Sequence, residues 1–418
     1  MRLLHTSDWH LGHTLKEVTR DYEHHAFLTW LLEQIRAEAP DVTVITGDVF
    51  DSATPPATAE RMWFEWLAAA RRARPGMDIV AIAGNHDSPA RLGAASAVLR
   101  ELGVHVVGSL PREPNGALDF DRILIPVAAG QAWVAAVPYL RPVDVLGEPE
   151  DPLAAIYREV VAEAERRRRP GQAVIALGHL YVTGAEPSML SERRISIGGQ
   201  ESASLRMFPA SLDYVALGHM HRAQRVGRES IRYAGAPIAL ALDEAGYHHQ
   251  IAIVDFAAGA LAGVRTIRVP QTIEVLRIEG RLEAVLDRIA ALPARRSGDD
   301  PTRPYLDLAI VLDRPEPRLR TQIEAALEGK RPRLVQLRTE HTGDGAALGD
   351  RVAVKRLAEL DPREVFAQLW ARDHAEPASA AVIGAFERLL AEVRGDREDR
   401  AVPAPAGAGP QLELGGFS

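Results

Sequence analysis

The chain opens MRLLHTSDWHLGHT (Met1–Thr14), an apolar run that breaks into Asp8, His10 and His13. Alternate residues of an extended segment point the same way, so Asp8 and His10 can share one target. The pair alone decides little; its meaning depends on whether the pattern returns. TVIT leads to Gly47-Asp48, IVAIA to Gly84-Asn85-His86-Asp87, AVIAL to Gly178-His179, and YVAL to Gly218-His219-Met220-His221. Five apolar runs thus end in a small residue followed by potential ligands. In open α/β sheets, sites gather at the carboxyl ends of strands. A glycine before the ligand lets the chain turn sharply there.

Between these runs the spacing predicts amphipathic helices. Glu23–Ala37 carries Phe27, Trp30, Leu31 and Ile35 at helical intervals, and Thr58–Ala73 carries Met62, Trp63, Trp66 and Leu67. Strands alternating with helices imply a layered α/β domain over residues 1–265. Ile123–Pro126 and Ala132–Val137 add strands without a helix between them, so a mixed sheet or two-sheet sandwich is expected. Val264–Gln271 reads as a crossover. Residues 272–342 then read as a small α/β capping module: strand Ile273–Ile278, helix Arg281–Leu292, strand Tyr305–Leu312, helix Glu316–Leu327, strand Leu334–Arg338. Residues 345–395 read as helices. Asp361 is placed to cap one of them, and the apolar stripes run through Phe366 and Trp370 and through Ile383 and Phe386. Residues 396–418, rich in Pro, Ala and Gly, read as disordered.

At 418 residues the chain can hold two or three domains. It has no cysteine, which excludes disulfides and thiolate metal sites, so a metal here needs N and O donors. Lysine occurs only at 16, 330 and 355, and arginine carries the positive charge. The net charge of −8 disfavours a general nucleic-acid coat but not an enzyme with a local basic groove. No apolar run is long enough to span a bilayer, and Asp8, His10 and His13 interrupt any signal-peptide core. A cytoplasmic location is the expectation.

Asp, Asn and His are hard or borderline donors that suit manganese or iron better than a closed structural zinc site. Two such ions about 3.5–4 Å apart are the usual device for hydrolysing phosphoesters. Each of Asp8, Asp48, Asn85, His179, His219 and His221 alone reads equally well as a turn or cap residue; all of them at matching strand ends do not.

The set D-x-H, GD, GNHD, GH and GHxH resembles that of the calcineurin-like metallophosphoesterases. The wider words TGDVFDSATPP, AGNHDSPA, DYVALGHMHRAQ and RYAGAPIAL look like the SbcD family of bacterial exonuclease subunits. The resemblance implies two divalent ions, with Mn2+ expected. Asp8, His10 and His221 would hold one, Asn85, His179 and His219 the other, and Asp48 would bridge. His86 would assist catalysis at the leaving oxygen, with Asp87 orienting His86 or the turn. Some relatives carry a second catalytic histidine soon after the bridging aspartate; here Asp51 and Ser52 stand there. The resemblance further implies DNA substrates (duplex ends, hairpins, single strands) and an SbcC-type coiled-coil ATPase docked on the C-terminal helices. A homodimer within a heterotetramer is implied too, with helices near Met62–Trp66 at its contact; those aromatics read equally as core. The run Arg166–Arg169 reads as a helix end or a DNA contact. His13, His24, His25, His248 and His249 read as solvated. A phosphomonoesterase or cyclic-nucleotide phosphodiesterase, and a non-catalytic DNA-end tether, are the competing readings. The module from Thr272 argues against the first and the full donor set against the second.

Overall fold

The computed structural model describes residues 1–145, 151–186, 202–295, 298 and 300–341, together with Phe366, Trp370, Ser379, Val382, Ile383, Ala385 and Phe386. It falls into two units, 1–342 and 343–418, taken separately below.

Two six-stranded sheets form the body of the first unit. One runs Ala260–Arg268, Gln250–Ala257, Arg2–Thr6, Val42–Thr46, Asp78–Ile82, Val104–Val107. The other runs Gln224–Val226, Arg228–Tyr233, Tyr214–Gly218, Ala173–His179, Ala132–Ala136, Leu124–Val127. The strands at the centre of each are parallel, and antiparallel strands complete both sheets. Both sheets are therefore mixed, as the helix-free run after Ile123 implied.

The parallel strands are apolar on both faces because both faces are covered. Leu3, Val44, Val80, Ile82, Ile175, Leu177, Tyr214 and Ala216 fill the space between the sheets. Leu4, Ile45, Ile79 and Ala81 point the other way, onto helices Asp21–Glu38 and Ala57–Ala73. Val174, Ala176, Val215 and Leu217 pack on helix Pro152–Arg167. Met62, Trp63 and Trp66 are buried around Trp9, whose ring lies 4.8 Å from Trp66 and 5.7 Å from Trp63. That stripe is core; Phe64, on the opposite face of the same helix, is exposed.

The expected crossover at Val264 is corrected. Ala260–Arg268 is a strand paired antiparallel with Gln250–Ala257, from Gln250↔Arg268 onward. Its burial alternates weakly because it is an edge, and this hid it from a search for apolar runs. Strands Val275–Arg281, Tyr305–Leu312 and Arg333–His341 form a small parallel sheet. Helices Leu282–Ala290 and Leu319–Leu327 pack on it around Val285, Ile289, Leu308, Ile310 and Ile323.

In the second unit Phe366 and Phe386 are helical and their rings stack at 4.2 Å. Trp370 and Ile383 are helical as well, while the expected Asp361 cap and the 396–418 tail lie outside the described residues.

His24 is not solvated: it is fully buried, with Nε2 3.0 Å from the Trp9 carbonyl. Burial pushes His24 down to about 3, and does the same to His5, which spans the two sheets between Tyr214 and Thr46. Both stay neutral in the folded chain, whereas the unfolded chain takes up their protons as pH falls below about 6.5. Their contribution is intact above that pH and declines by about 1.4 kcal/mol per pH unit for each group as pH drops toward 3. Urea unfolding of metal-free protein should show His24→Gln with a shallower loss between pH 6.5 and 5 than the parent. Equal slopes would refute the assignment.

Candidate metal centre

The donors come from both sheets. Asp8, Asp48 and Asn85 follow strands of the first sheet; His179 ends one strand of the second, and His219 follows another. Four candidates have left-handed backbone: Asp8 at φ 53°, His10 at 47°, Asp48 at 49° and His219 at 97°. Such conformations cost of order 1–3 kcal/mol each and persist where the surroundings impose them. The approach is close enough to require glycine. A Cβ on Gly84 would run into the Asp48 carboxylate and amide, and one on Gly218 into the Thr46 carbonyl and Ser7 hydroxyl.

Two buried groups of donor atoms result: Asp8, His10 and His221, and Asp8, Asp48 and His179. Asp48 Oδ2 lies 3.5 Å from His10 Nε2 and 3.3 Å from His179 Nε2. Asn85 Oδ1 lies 3.0 Å from His179 Nε2 and 3.2 Å from His219 Nδ1. Asp8 accepts the His219 amide at 2.9 Å and thereby joins the two sheets.

These residues fit divalent cations. His10 Nε2 is buried without a hydrogen-bond partner while its Nδ1 is held by Asp51. That is the state of an imidazole whose second nitrogen awaits a cation. His179 donates Nδ1–H to the Thr46 carbonyl at 2.8 Å, so Nε2 faces the site. Burial pushes His179 down, but Asp48 and Asp8 outweigh it and hold it up at about 9. Burial also opposes ionisation of Asp48, yet His179, His10 and His86 hold it well below the usual carboxylate range. Burial, then His179, lowers His219 to about 3, and burial lowers His10.

His86 is half-buried beside the cluster, its ring 4.8 Å from that of His10. Its amide donates to Asp48 Oδ1 at 2.9 Å, and its Nδ1–H to the Asp51 carbonyl at 2.8 Å. Nε2 is therefore the atom able to exchange a proton. Asp87 accepts the amides of Val49, Phe50 and Gly84, and so ties together the loops bearing Asp48 and Asn85. Burial, then Asp48, raises it to about 6.

Two functional residues are missing from the sequence-based donor set. Asp51 receives both His10 Nδ1, at 3.1 Å, and His13 Nδ1, at 2.8 Å. An acid so soon after Asp48, where some relatives carry histidine, is the signal that could have found it. Glu244, fully buried, accepts His221 Nδ1 at 2.8 Å. No local pattern marks a glutamate so far along the chain. His13 and His249 are corrected as well. His13 bridges Asp51 and the Leu240 carbonyl, and His249 bonds the carbonyls of Ala236 and Glu244; His25 and His248 are exposed. Arg166 and Arg167 pair with Glu163, and Arg168 with Asp213, so this run secures a helix end and its neighbours.

Residues 1–223 match the calcineurin-like phosphoesterase family, and residues 269–374 match the type 5 capsule protein repressor C-terminal domain. The chain is 41% identical to the SbcD component of the SbcCD nuclease of Rhodobacter capsulatus, over 81% of this chain and 87% of that one. The chain belongs to the SbcD family. The Escherichia coli K12 SbcD protein is 32% identical over 88% of this chain and 92% of its own, and that of Bacillus subtilis 168 is 38% identical over 62% and 67%. As an SbcD nuclease the chain is a phosphodiester hydrolase, and the buried His/Asp clusters form its dimetal phosphoesterase site. Among the described residues no helix is long and apolar enough to cross a membrane.

Proposed function

We propose that this site cuts DNA phosphodiesters using two divalent ions, with Mn2+ the metal used. Asp8, His10 and His221 hold one, Asn85, His179 and His219 the other, and Asp48 bridges them. The observation that carries this is Asp48 Oδ2, within 3.5 Å of imidazole nitrogens from both sides of the cluster. When bound, the ions supply charge neutralisation at phosphorus and an activated water. The chain's own residues do the rest. Asp51 and Glu244 orient His10 and His221 through their Nδ1 atoms. The Thr46 carbonyl fixes His179. His86, held at Nδ1, offers Nε2 to the leaving oxygen.

By this reading residues 1–265 perform the chemistry and residues 272–342 cap it and guide DNA. Residues 345–395 dock an SbcC-type coiled-coil ATPase, for which the naming of the relatives as parts of SbcCD is the support. Two copies assemble within a heterotetramer.

End-labelled hairpin DNA tests this against p-nitrophenyl phosphate. With Mn2+ the hairpin should be opened far faster than the monoester is hydrolysed, and partner plus ATP should accelerate duplex-end trimming. A chain ending at Leu360 should keep Mn2+-dependent cleavage but gain nothing from the partner. Preference for the monoester would reject the DNA assignment, and stimulation of the shortened chain would reject the docking site.

A further inference from the structure

Residues Ala239–Glu244, at and just beyond the end of the RYAGAPIAL stretch, form a strap between the small parallel sheet and the metal centre. On the side of the small sheet, Arg277 donates to the Leu242 carbonyl at 3.4 Å, and Leu242 packs with Ile273, Tyr305 and Val335. Tyr305, 1% exposed, donates its hydroxyl to Glu23 at 2.7 Å. Glu23 is gripped by both arms of Arg20, which lies over the Tyr305 ring at 5.4 Å and donates to the Ala239 carbonyl at 2.7 Å. Arg20 and Glu23 are both buried, so this ion pair is held in one geometry.

The other side of the strap reaches two donors. The Leu240 carbonyl accepts His13 Nε2 at 2.9 Å, and His13 shares the Asp51 carboxylate with His10. The Leu240 amide donates to Glu244 at 2.7 Å, and the other oxygen of Glu244 holds His221. His10 and His221 thus depend on one short segment for their orientation. His179 does not: the Thr46 carbonyl, at the end of a central strand, fixes it.

We propose that the strap transmits the seating of the small sheet to one ion only, the one held by Asp8, His10 and His221, with Tyr305 as the positioning residue. This rests on the partition of donors given above. Removing the Tyr305 hydroxyl frees Glu23 on one side, loosens the grip of Arg20 on Ala239, and lets the partners of His10 and His221 shift together. Loss of such outer partners typically weakens metal binding by about 10–100-fold. The Asn85–His179–His219 ion has no share in this chain of bonds.

The test is Mn2+ binding to the metal-free full chain, by calorimetry and by the electron paramagnetic resonance signal of the bound ion. Two half-site backgrounds are used. Asn85→Ala leaves the Asp8–His10–His221 ion as the tight one, and His10→Ala leaves the other. Adding Tyr305→Phe should weaken the remaining ion about tenfold in the first background and leave it unchanged in the second. Glu244→Gln, acting directly on His221, should reproduce the asymmetry with a larger loss, and it carries the test if Tyr305→Phe does not fold. Equal weakening in both backgrounds, or none in either, overturns the coupling while the partition stands. If Asn85→Ala and His10→Ala weaken the same ion, the partition itself falls, and the proposal with it.

Discussion

Asp48→Ala should purify as a folded protein that binds neither ion tightly and cleaves DNA at least about 10⁴-fold more slowly. The carboxylate lies within reach of His10 and His179 together, so its removal takes a donor from each ion at once. It also releases the His86 amide, which the same side chain holds at 2.9 Å. Without metal, general acid–base groups supply roughly 10²–10⁴-fold. A phosphodiester needs its barrier lowered by on the order of 20 kcal/mol. The fold should survive, because the Asp48 backbone keeps its bond to His10 and the strands are buried on both faces. Circular dichroism, metal analysis and cleavage of labelled DNA read the three parts separately. Two ions retained per chain would show that Asp48 is not the bridge. Asp8, which belongs to both donor groups, would then take that role.

His86→Ala should behave differently. Both ions and DNA affinity should remain, while turnover falls by roughly 10²–10⁴-fold. The half-buried imidazole belongs to neither of the buried donor groups around Asp8, yet the Asp51 carbonyl fixes its ring beside His10. A group that acts only on the departing oxygen alters kcat and leaves KM nearly unchanged. A loss of metal equal to that in Asp48→Ala would make His86 a ligand instead. Unchanged cleavage would remove it from the chemistry.

The parallel strands and the convergence of their ends could be read from the chain, because each consists of an apolar run closed by a small residue and a polar one. Edges could not. Ala260–Arg268 carries exposed arginines and shows little alternation, so only the neighbouring strand reveals it. The same limit applies at the site. Donors that follow strands are local features, whereas Glu244 and the buried His24 acquire meaning only from what folds against them. Asp51 lies between these cases: its position stands out in the sequence, but its bonds to two histidines depend on loops that meet only in the folded chain.

That four of the proposed donors come from one leaf of the sandwich and three from the other would make a bound pair of ions a rivet through a seam. Neither leaf alone offers a full coordination sphere, and at that end the Asp8–His219, His5–Tyr214 and His179–Thr46 hydrogen bonds stitch the two edges together. A slip between the leaves too small to disturb either one would therefore empty the site. The chemistry would fail while the scaffold still looked intact.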